Sequence, residues 1–159
     1  MHNLEDLTDV EHKLVRAVAD GERLDLDGAE VRCDVIRRLL TGGFDVVRTD
    51  PRGIRVRRAR LVGSLDLAEV ESRLPLCLTD CHTSETVRLT GSRLSTVDLT
   101  GLVGVNIVAF DAQIERGLLM QNVRLSCASA EGTVSVGGAR IGGVLDAAGS
   151  HLVNTHPDW

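Results

Sequence analysis

Residues 58–70 read RARLVGSLDLAEV, and this stretch decides the fold. It contains two apolar pairs, Ala59 with Leu61 and Leu65 with Leu67, and the members of each pair are two residues apart. A spacing of two is the period of a β-strand, and it puts both side chains of a pair on the same face. The stretch therefore predicts two short strands, each with one buried face, separated by a change of direction.

The same apolar pair recurs every five or six residues from Ile54 to Leu152. It gives nineteen pairs, and 33 of their 38 positions are apolar and none is charged, in a chain that is 26% charged. The second member of each pair lies two residues after the first. The first members are Ile54, Ala59, Leu65, Val70, Leu76, Cys81, Val87, Ser92, Val97, Leu102, Ile107, Ala112, Leu118, Val123, Ala128, Val134, Ala139, Leu145 and Ser150.

A second pattern marks the corners between the pairs. Four residues after the first member, twelve of the nineteen pairs carry glycine, asparagine or aspartate, the residues that best tolerate positive φ in tight turns. These corner residues are Gly63, Asp80, Gly91, Gly101, Asn106, Asp111, Asn122, Gly132, Gly138, Gly143, Gly149 and Asn154. A β-sandwich is the alternative, but it needs longer alternating runs than the three residues found between corners.

We therefore predict a mainly β fold, a right-handed parallel quadrilateral β-helix. Four faces of about five residues make one coil, so the nineteen pairs give nearly five coils of 21 or 22 residues. Successive coils stack at the strand-pairing distance of about 4.8 Å. The register predicts three pairs of oppositely charged neighbours on adjacent coils: Asp66 with Arg88, Glu71 with Arg93, and Arg124 with Asp146.

The first 53 residues are predicted to be an α-helical cap with a partial repeat. A helix is expected over 9–19, with Thr8 and Glu11 as a capping box, and a second helix over 34–40. Between them, 24–26 and 29–31 resemble two further repeat faces. The apolar stripe of the first helix is Val10, Leu14, Val15 and Val18. A cap protects the unpaired strand edges and the open core of a solenoid.

The remaining boundaries follow from where the repeat begins and ends. Phe44, Val46 and Val47 are predicted to form a strand or plug before the repeat. The solenoid is assigned to 54–152 and a C-terminal tail to 153–159, in which Trp159 is expected to fold over the last coil. No cap resembling the N-terminal one is predicted at this end. Either this end pairs with another copy, or the chain is a piece of a longer solenoid.

Charge disfavours a nucleic-acid partner. Residues 1–53 carry eight basic and twelve acidic side chains, whereas residues 54–159 carry ten and eleven. A nearly neutral repeat region lacks the basic surface that phosphate binding needs. The polar, acidic start MHNLEDLTDVEH indicates no signal peptide, and no apolar run is long enough for a transmembrane segment. We predict a cytoplasmic location.

The sequence predicts no catalytic, cofactor or metal site. Cys77 and Cys81 form a C-x3-C pair, but no second pair or histidine completes a zinc site. GGARIGG at 137–143 looks like part of a dinucleotide fingerprint, yet its glycines fall on corners and no helix follows. His82 and His151 are predicted to point outward on different faces, without a cysteine or serine partner. We therefore predict that the protein is not an enzyme.

The stretches RARLVGSLDLAEV and GTVSVGGARIGGVLDAAGSHLVN resemble the pentapeptide-repeat superfamily. More narrowly, they are similar to a bacterial group with G-A-R-I-x-G-x-L-D-L repeats and an N-terminal helical segment, whose members often carry the label membrane-associated oxidoreductase. The best-known superfamily members favour phenylalanine at the central inward position, where this chain has leucine, valine or isoleucine. The resemblance implies a cytoplasmic binding or scaffold protein, often dimeric, and some members bind DNA gyrase by imitating DNA.

Function is predicted from the shape and from apolar residues at outward positions. We predict a protein–protein interaction or scaffold module that forms a homodimer, through the C-terminal end or through an outward apolar patch. The residues of this patch are Val103, Val108, Phe110, Leu119 and Trp159. One alternative is a gyrase-binding DNA mimic, which needs rows of carboxylates that this balanced repeat region lacks. The other is an enzyme or accessory protein of the oxidoreductase-labelled group.

Overall fold

A computed structural model describes residues 4–44 and 48–158. Within these ranges the chain is mainly β, with two α-helices and parallel strands in stacked sheets, consistent with the predicted parallel β-solenoid. A 3-10 turn at Leu4–Asp6 precedes the helices, which are α1 (Asp9–Asp20) and α2 (Cys33–Thr41). The strands are β1 (Leu24–Asp25), β2 (Glu30–Arg32), β3 (Ile54–Arg57), β4 (Arg60–Val62), β5 (Leu65–Asp66), β6 (Leu76–Thr79), β7 (His82–Thr83), β8 (Val87–Arg88), β9 (Arg93–Asp98), β10 (Val103–Gly104), β11 (Ile107–Val108), β12 (Gln113–Leu119), β13 (Arg124–Cys127), β14 (Val134–Ser135), β15 (Arg140–Ile141), β16 (Val144–Asp146) and β17 (His151–Asn154).

The described strands form three parallel sheets, which we name A, B and C. Sheet A has the order β1-β3-β6-β9-β12-β15, and β16 also pairs with β12. Sheet B has the order β17-β13-β10-β7-β4-β2, and sheet C the order β14-β11-β8-β5. The register of β12 shifts between Ile114 and Gly117, before which it pairs with β15 and after which it pairs with β16. Sheet A therefore continues around a corner and covers two sides of the solenoid.

The core consists of predicted inward residues from Ile54 to Leu125 together with apolar residues of the N-terminal cap. Aliphatic side chains from all three sheets are fully buried between the sheets, as the apolar period requires. They include Ile54, Leu65, Leu67, Leu76, Leu78, Leu89, Leu99, Leu102 and Ile107. The inward Ser92 is also fully buried, and its hydroxyl donates a hydrogen bond to the Leu89 carbonyl at 2.6 Å. A serine is tolerated there because a backbone acceptor satisfies it locally.

Most predicted corners have the expected backbone. Ten of the twelve have positive φ, and the exceptions are Asn106 and Asn154. Arg58 and Glu69 occupy equivalent corners and also have positive φ, at 56° and 61°. A non-glycine residue in this conformation is strained by about 1–2 kcal/mol, which the stacked neighbours must offset. Residue type therefore predicts most of the corners with positive φ. At Arg58 and Glu69, packing against the stacked strands imposes this conformation instead.

The predicted vertical register is correct in the first part of the repeat and wrong near its end. Asp66 pairs with Arg88 and Glu71 with Arg93, as predicted, and the second pair is an ion pair at 3.7 Å. The third predicted pair does not form, since Arg124 lies beside His151, 27 positions away. Its predicted partner, Asp146, lies instead beside Leu119 on sheet A.

A loop at residues 128–133 causes this change of register. Ala128 and Ala130 were predicted to point inward, but both are exposed and no strand forms between β13 and β14. Asn106 donates from Nδ2 to the Gly132 carbonyl at 3.2 Å, and Asn154 donates to the Ser129 carbonyl at 2.9 Å. Ala128 and Ala130 would bury too little apolar area to stabilise a strand face at this position. The amide side chains bind the loop backbone instead.

The N-terminal residues cover one end of the stack. β1 pairs with β3 and β2 with β4, so the two partial faces predicted from the sequence continue sheets A and B. Thr8 and Glu11 form the predicted capping box of α1. Leu14, Val15 and Val18 of its predicted stripe are buried, and Val10 is half-buried. Phe44 is buried, whereas Val46 and Val47, predicted to form a strand or plug with it, lie outside the described residues.

Candidate interaction surfaces

The apolar patch predicted from the sequence does not form one surface. Val103 lies on sheet B and is 38% exposed, and Phe110 follows β11 on sheet C and is 37% exposed. Leu119 is half-buried on sheet A. Val108 was predicted to be exposed, and this is wrong because it is fully buried. Trp159 lies outside the described residues, so its predicted position over the last coil is not described either.

The loop at 128–133 explains why Val108 is buried although it points away from the core. Val108 pairs with Arg88 on one side and with Ser135 on the other. The Arg88 guanidinium bonds to the Glu131 carboxylate at 3.2 Å, and the Ser135 hydroxyl donates to the Glu131 carbonyl. Glu131 thus joins both strand neighbours of Val108, which is fully buried between them. A charge at Val108 would therefore disturb packing rather than test a surface.

The two histidines occupy one column on sheet B, not different faces as predicted. Pairing along this sheet joins Arg60 to His82, His82 to Val103, Val103 to Arg124, and Arg124 to His151. We name these five residues the basic column. The sequence prediction failed because it assumed coils of 21 or 22 residues throughout, whereas the last step is 27. With the correct spacing, the outward positions alone would have identified the column.

Sheet B consequently differs from the other sides of the solenoid. Beside the basic column lie the outward residues Val62, Ser84, Val105, Ser126 and Val153. From β4 to β17 neither set contains a carboxylate. On the other sheets ion pairs join neighbouring strands, as between Arg57 and Asp80 at 3.3 Å. On sheet B such a pair joins Arg60 to Glu30 of β2 at 3.9 Å. Arg124 and His82 have no ion-pair partner among the described residues. The outer side of sheet B is thus basic and partly apolar.

A groove of about 710 Å³ adjoins the N-terminal end of this side. Its charged and polar lining includes Asp27, Arg58, Arg60, Asp80 and His82. Arg58 is engaged within the chain, because it bonds to Asp25 at 2.8 Å and to Asp27 at 3.1 Å. Hydrogen bonding from Arg58 lowers the pKa of Asp25. Because Arg58 is neutralised by Asp25 and Asp27, it adds little to anion binding in the groove. An anion there would be bound mainly by residues of the basic column.

The cysteines do not form an activated thiol site. Cys33, Cys81 and Cys127 are buried, Cys77 is half-buried, and all four are free thiols. Burial raises the pKa of Cys33 to about 12 and that of Cys81 to about 11, so neither provides the thiolate that nucleophilic chemistry needs. Within the described ranges, no three His, Cys, Asp or Glu side chains cluster as a metal site would require.

The C-terminal end of the stack is an apolar surface. β16 and β17 are terminal strands of sheets A and B among the described residues. Leu145 and Leu152 occupy inward positions, yet they are 53% and 45% exposed. Val144 and Val153 lie next to them, and each is 51% exposed. We name these four residues the terminal cluster. β17 also runs two residues beyond the predicted end of the solenoid at Leu152.

Comparisons with family models, curated proteins and solved structures find no match. Neither described helix is both long and apolar enough to cross a lipid bilayer. The terminal cluster and the outer side of sheet B are the two surfaces whose chemistry suggests a partner.

Proposed function

We propose that this protein is a non-enzymatic protein–protein interaction module that forms a homodimer through the terminal cluster. In this proposal the chain is a right-handed quadrilateral β-helix of the pentapeptide-repeat type. It has between four and five coils, because the loop at 128–133 replaces one predicted face. The terminal cluster supports the proposal, because four large aliphatic side chains and two strand edges share one end. Exposed strand edges and apolar residues together favour pairing with another chain.

The area available favours a weak rather than a permanent dimer. Burying a valine or leucine side chain completely contributes about 1.5–3 kcal/mol. Four side chains that are half exposed would therefore contribute roughly 3–6 kcal/mol from each copy. Association opposes this with about 4–15 kcal/mol of lost translational and rotational freedom. Strand pairing between the two ends would make the free energy of dimerisation more favourable. We therefore expect a dimer whose population depends on protein concentration.

The variant Leu145→Ser/Leu152→Ser tests this proposal. We expect the dimer dissociation constant to rise at least tenfold, because the change removes the apolar contact that drives association. Sedimentation velocity over a concentration series measures it, and circular dichroism checks that the variant is folded. Phe110→Ser is the matched control, since Phe110 is similarly exposed but lies away from the end. A wild-type protein that is monomeric throughout, or equal dimerisation by all three proteins, would contradict the proposal.

The DNA-mimic alternative gains no support from these surfaces. Such a mimic presents rows of carboxylates to its target, in place of phosphates. The outer side of sheet B carries basic rather than acidic residues from β4 onward. The outward acids Glu71 and Asp80 are paired with arginines. On sheet A, Leu119 separates Asp98 from Asp146, so these acids form no continuous row. A gyrase supercoiling assay with excess protein is the direct check, and we expect no inhibition.

A further inference from the structure

An acidic column on sheet A has the same spacing as the basic column on sheet B. Pairing along sheet A joins Asp98 to Leu119 and Leu119 to Asp146. These three outward residues, which we name the acidic column, occupy successive strands in the order acid, aliphatic, acid. On sheet B, His82, Val103 and Arg124 likewise occupy successive strands, in the order basic, aliphatic, basic. The two columns therefore have matching orders of side-chain types, with a histidine and an arginine on sheet B where sheet A has two aspartates.

The ionised groups of the two columns, which are Asp98 and Asp146 on one and Arg124 on the other, are free to act between molecules. Neither Asp98 nor Asp146 has an ion-pair partner among the described residues, and the same holds for Arg124. Asp98 accepts one hydrogen bond, from the Thr100 backbone at 3.0 Å, and this leaves its second oxygen available. Asp146 accepts from the Ala148 backbone at 2.9 Å and from the Gln121 amide. These bonds hold each carboxylate in place on the surface.

The spacing of the basic column favours one kind of partner. Its side chains repeat at the separation of paired strands, about 4.8 Å. An extended peptide presents alternate side chains about 6.6–6.8 Å apart, which does not match successive strands. A helix presents residues three and four positions apart on one face, at about 4.5 and 6 Å in turn, so its spacing is uneven. A second stack of parallel strands repeats at the same separation at every step, and the acidic column is such a stack with the complementary order of side-chain types.

We propose that the basic column of one copy binds the acidic column of a second copy, side to side. His82 and Arg124 then face Asp98 and Asp146, while Val103 contacts Leu119 between them. The contact joins different surfaces of the two copies, so each bound copy leaves one column unused and can bind another. This lateral association goes beyond the proposed end-to-end dimer and uses none of the residues of the terminal cluster.

Two charge-reversed variants test the lateral contact. The first is His82→Asp/Arg124→Asp, which makes the basic column acidic, and the second is Asp98→Arg/Asp146→Arg, which makes the acidic column basic. Both are made in the Leu145→Ser/Leu152→Ser background, so that end-to-end dimers do not contribute. Each variant alone would bring like charges together, whereas a mixture of the two restores opposite charges at every contact.

The measurement is sedimentation velocity at low ionic strength, where screening of exposed charges is weakest. We expect each variant alone to associate at least tenfold more weakly than the Leu145→Ser/Leu152→Ser parent. An equimolar mixture should recover association to within about threefold of the parent, and added salt should abolish it. A mixture that associates no better than either variant alone, or a parent that stays monomeric at low ionic strength, would overturn the proposal. Neither result bears on the end-to-end dimer, which is measured separately.

Discussion

Replacing Glu11 with glutamine should lower the free energy of unfolding by about 3 kcal/mol at pH 7. Glu11 is 1% exposed and connects α1 to β2. Its carboxylate accepts hydrogen bonds from the Arg32 Nη2 at 2.7 Å, the Arg32 backbone at 3.0 Å and the Thr8 backbone at 3.0 Å. Glutamine keeps the shape and can keep the bond to Thr8, so the loss isolates the contribution of the charge.

The same carboxylate makes stability depend on pH in a defined window. Burial by itself would raise the pKa of Glu11, but the hydrogen bonds from Arg32 and Thr8, together with the charge of Arg32, lower it to about 2 from 4.5. A lowered pKa stabilises the fold above pH 4.5, and this stabilisation disappears as the pH falls from 4.5 towards 2. The wild-type protein should therefore lose stability in that range, and Glu11→Gln should lose less.

Denaturant unfolding at pH 7 and at several values between 4.5 and 2 measures both effects. Glu5→Gln is the control, because Glu5 is an exposed acid of the same segment. We expect its unfolding free energy to stay within about 0.5 kcal/mol of wild type. If Glu11→Gln were also within that margin, the bonds to Arg32 would not stabilise the junction of cap and solenoid.

Gly53→Ala should destabilise the protein by about 3 kcal/mol or more. Gly53 has a φ of +75°, a conformation that strains any residue with a side chain. An added Cβ would also lie 2.2 Å from the Pro75 carbonyl oxygen, which accepts the backbone hydrogen bond of Ile54 at 2.9 Å. The alanine would therefore force apart β3 and β6, where the first strands of the main repeat stack.

Gly63→Ala provides a matched control for this prediction. Gly63 has a similar φ of +84°, but the nearest atom to an added Cβ, an Oε2 of Glu85, is 3.9 Å away. The free energy of unfolding of this variant should fall only by the backbone strain of about 1–2 kcal/mol. Urea unfolding of both variants separates the two contributions. Equal losses would show that the close approach at Pro75 does not constrain the stack.

The sequence predicted the local architecture because the repeat combines two independent physical signals. Apolar pairs two residues apart specify a strand face, and turn-forming residues specify the corner that follows. Both signals are local, so they identified the buried leucines, most positive-φ corners and the capping box at Thr8 and Glu11. They also identified the first two charged pairs between stacked strands, because the early spacing of 22 residues is regular.

The candidate surfaces could not be predicted in the same way, because they depend on which residues stack far from one another in sequence. Ala128 and Ala130 fit the apolar pattern, yet the packing of Asn106 and Asn154 against the loop decides that they lie outside. That single loop buries Val108 and moves His151 into the basic column. The regular spacing of apolar pairs does not take such long-range contacts into account.

The sequence by itself thus determined the strand period, the corners and the helical start of this protein, since each arises from neighbouring residues. Only the tertiary structure decided the register of the last strands. The loop at 128–133 replaces one predicted strand face without changing the strand or turn preferences of its neighbours. It does shift the register of every later strand relative to the preceding coil. The acidic column of sheet A depends on that shift, because it places Asp146 beside Leu119. The same shift adds His151 to the basic column beside Arg124.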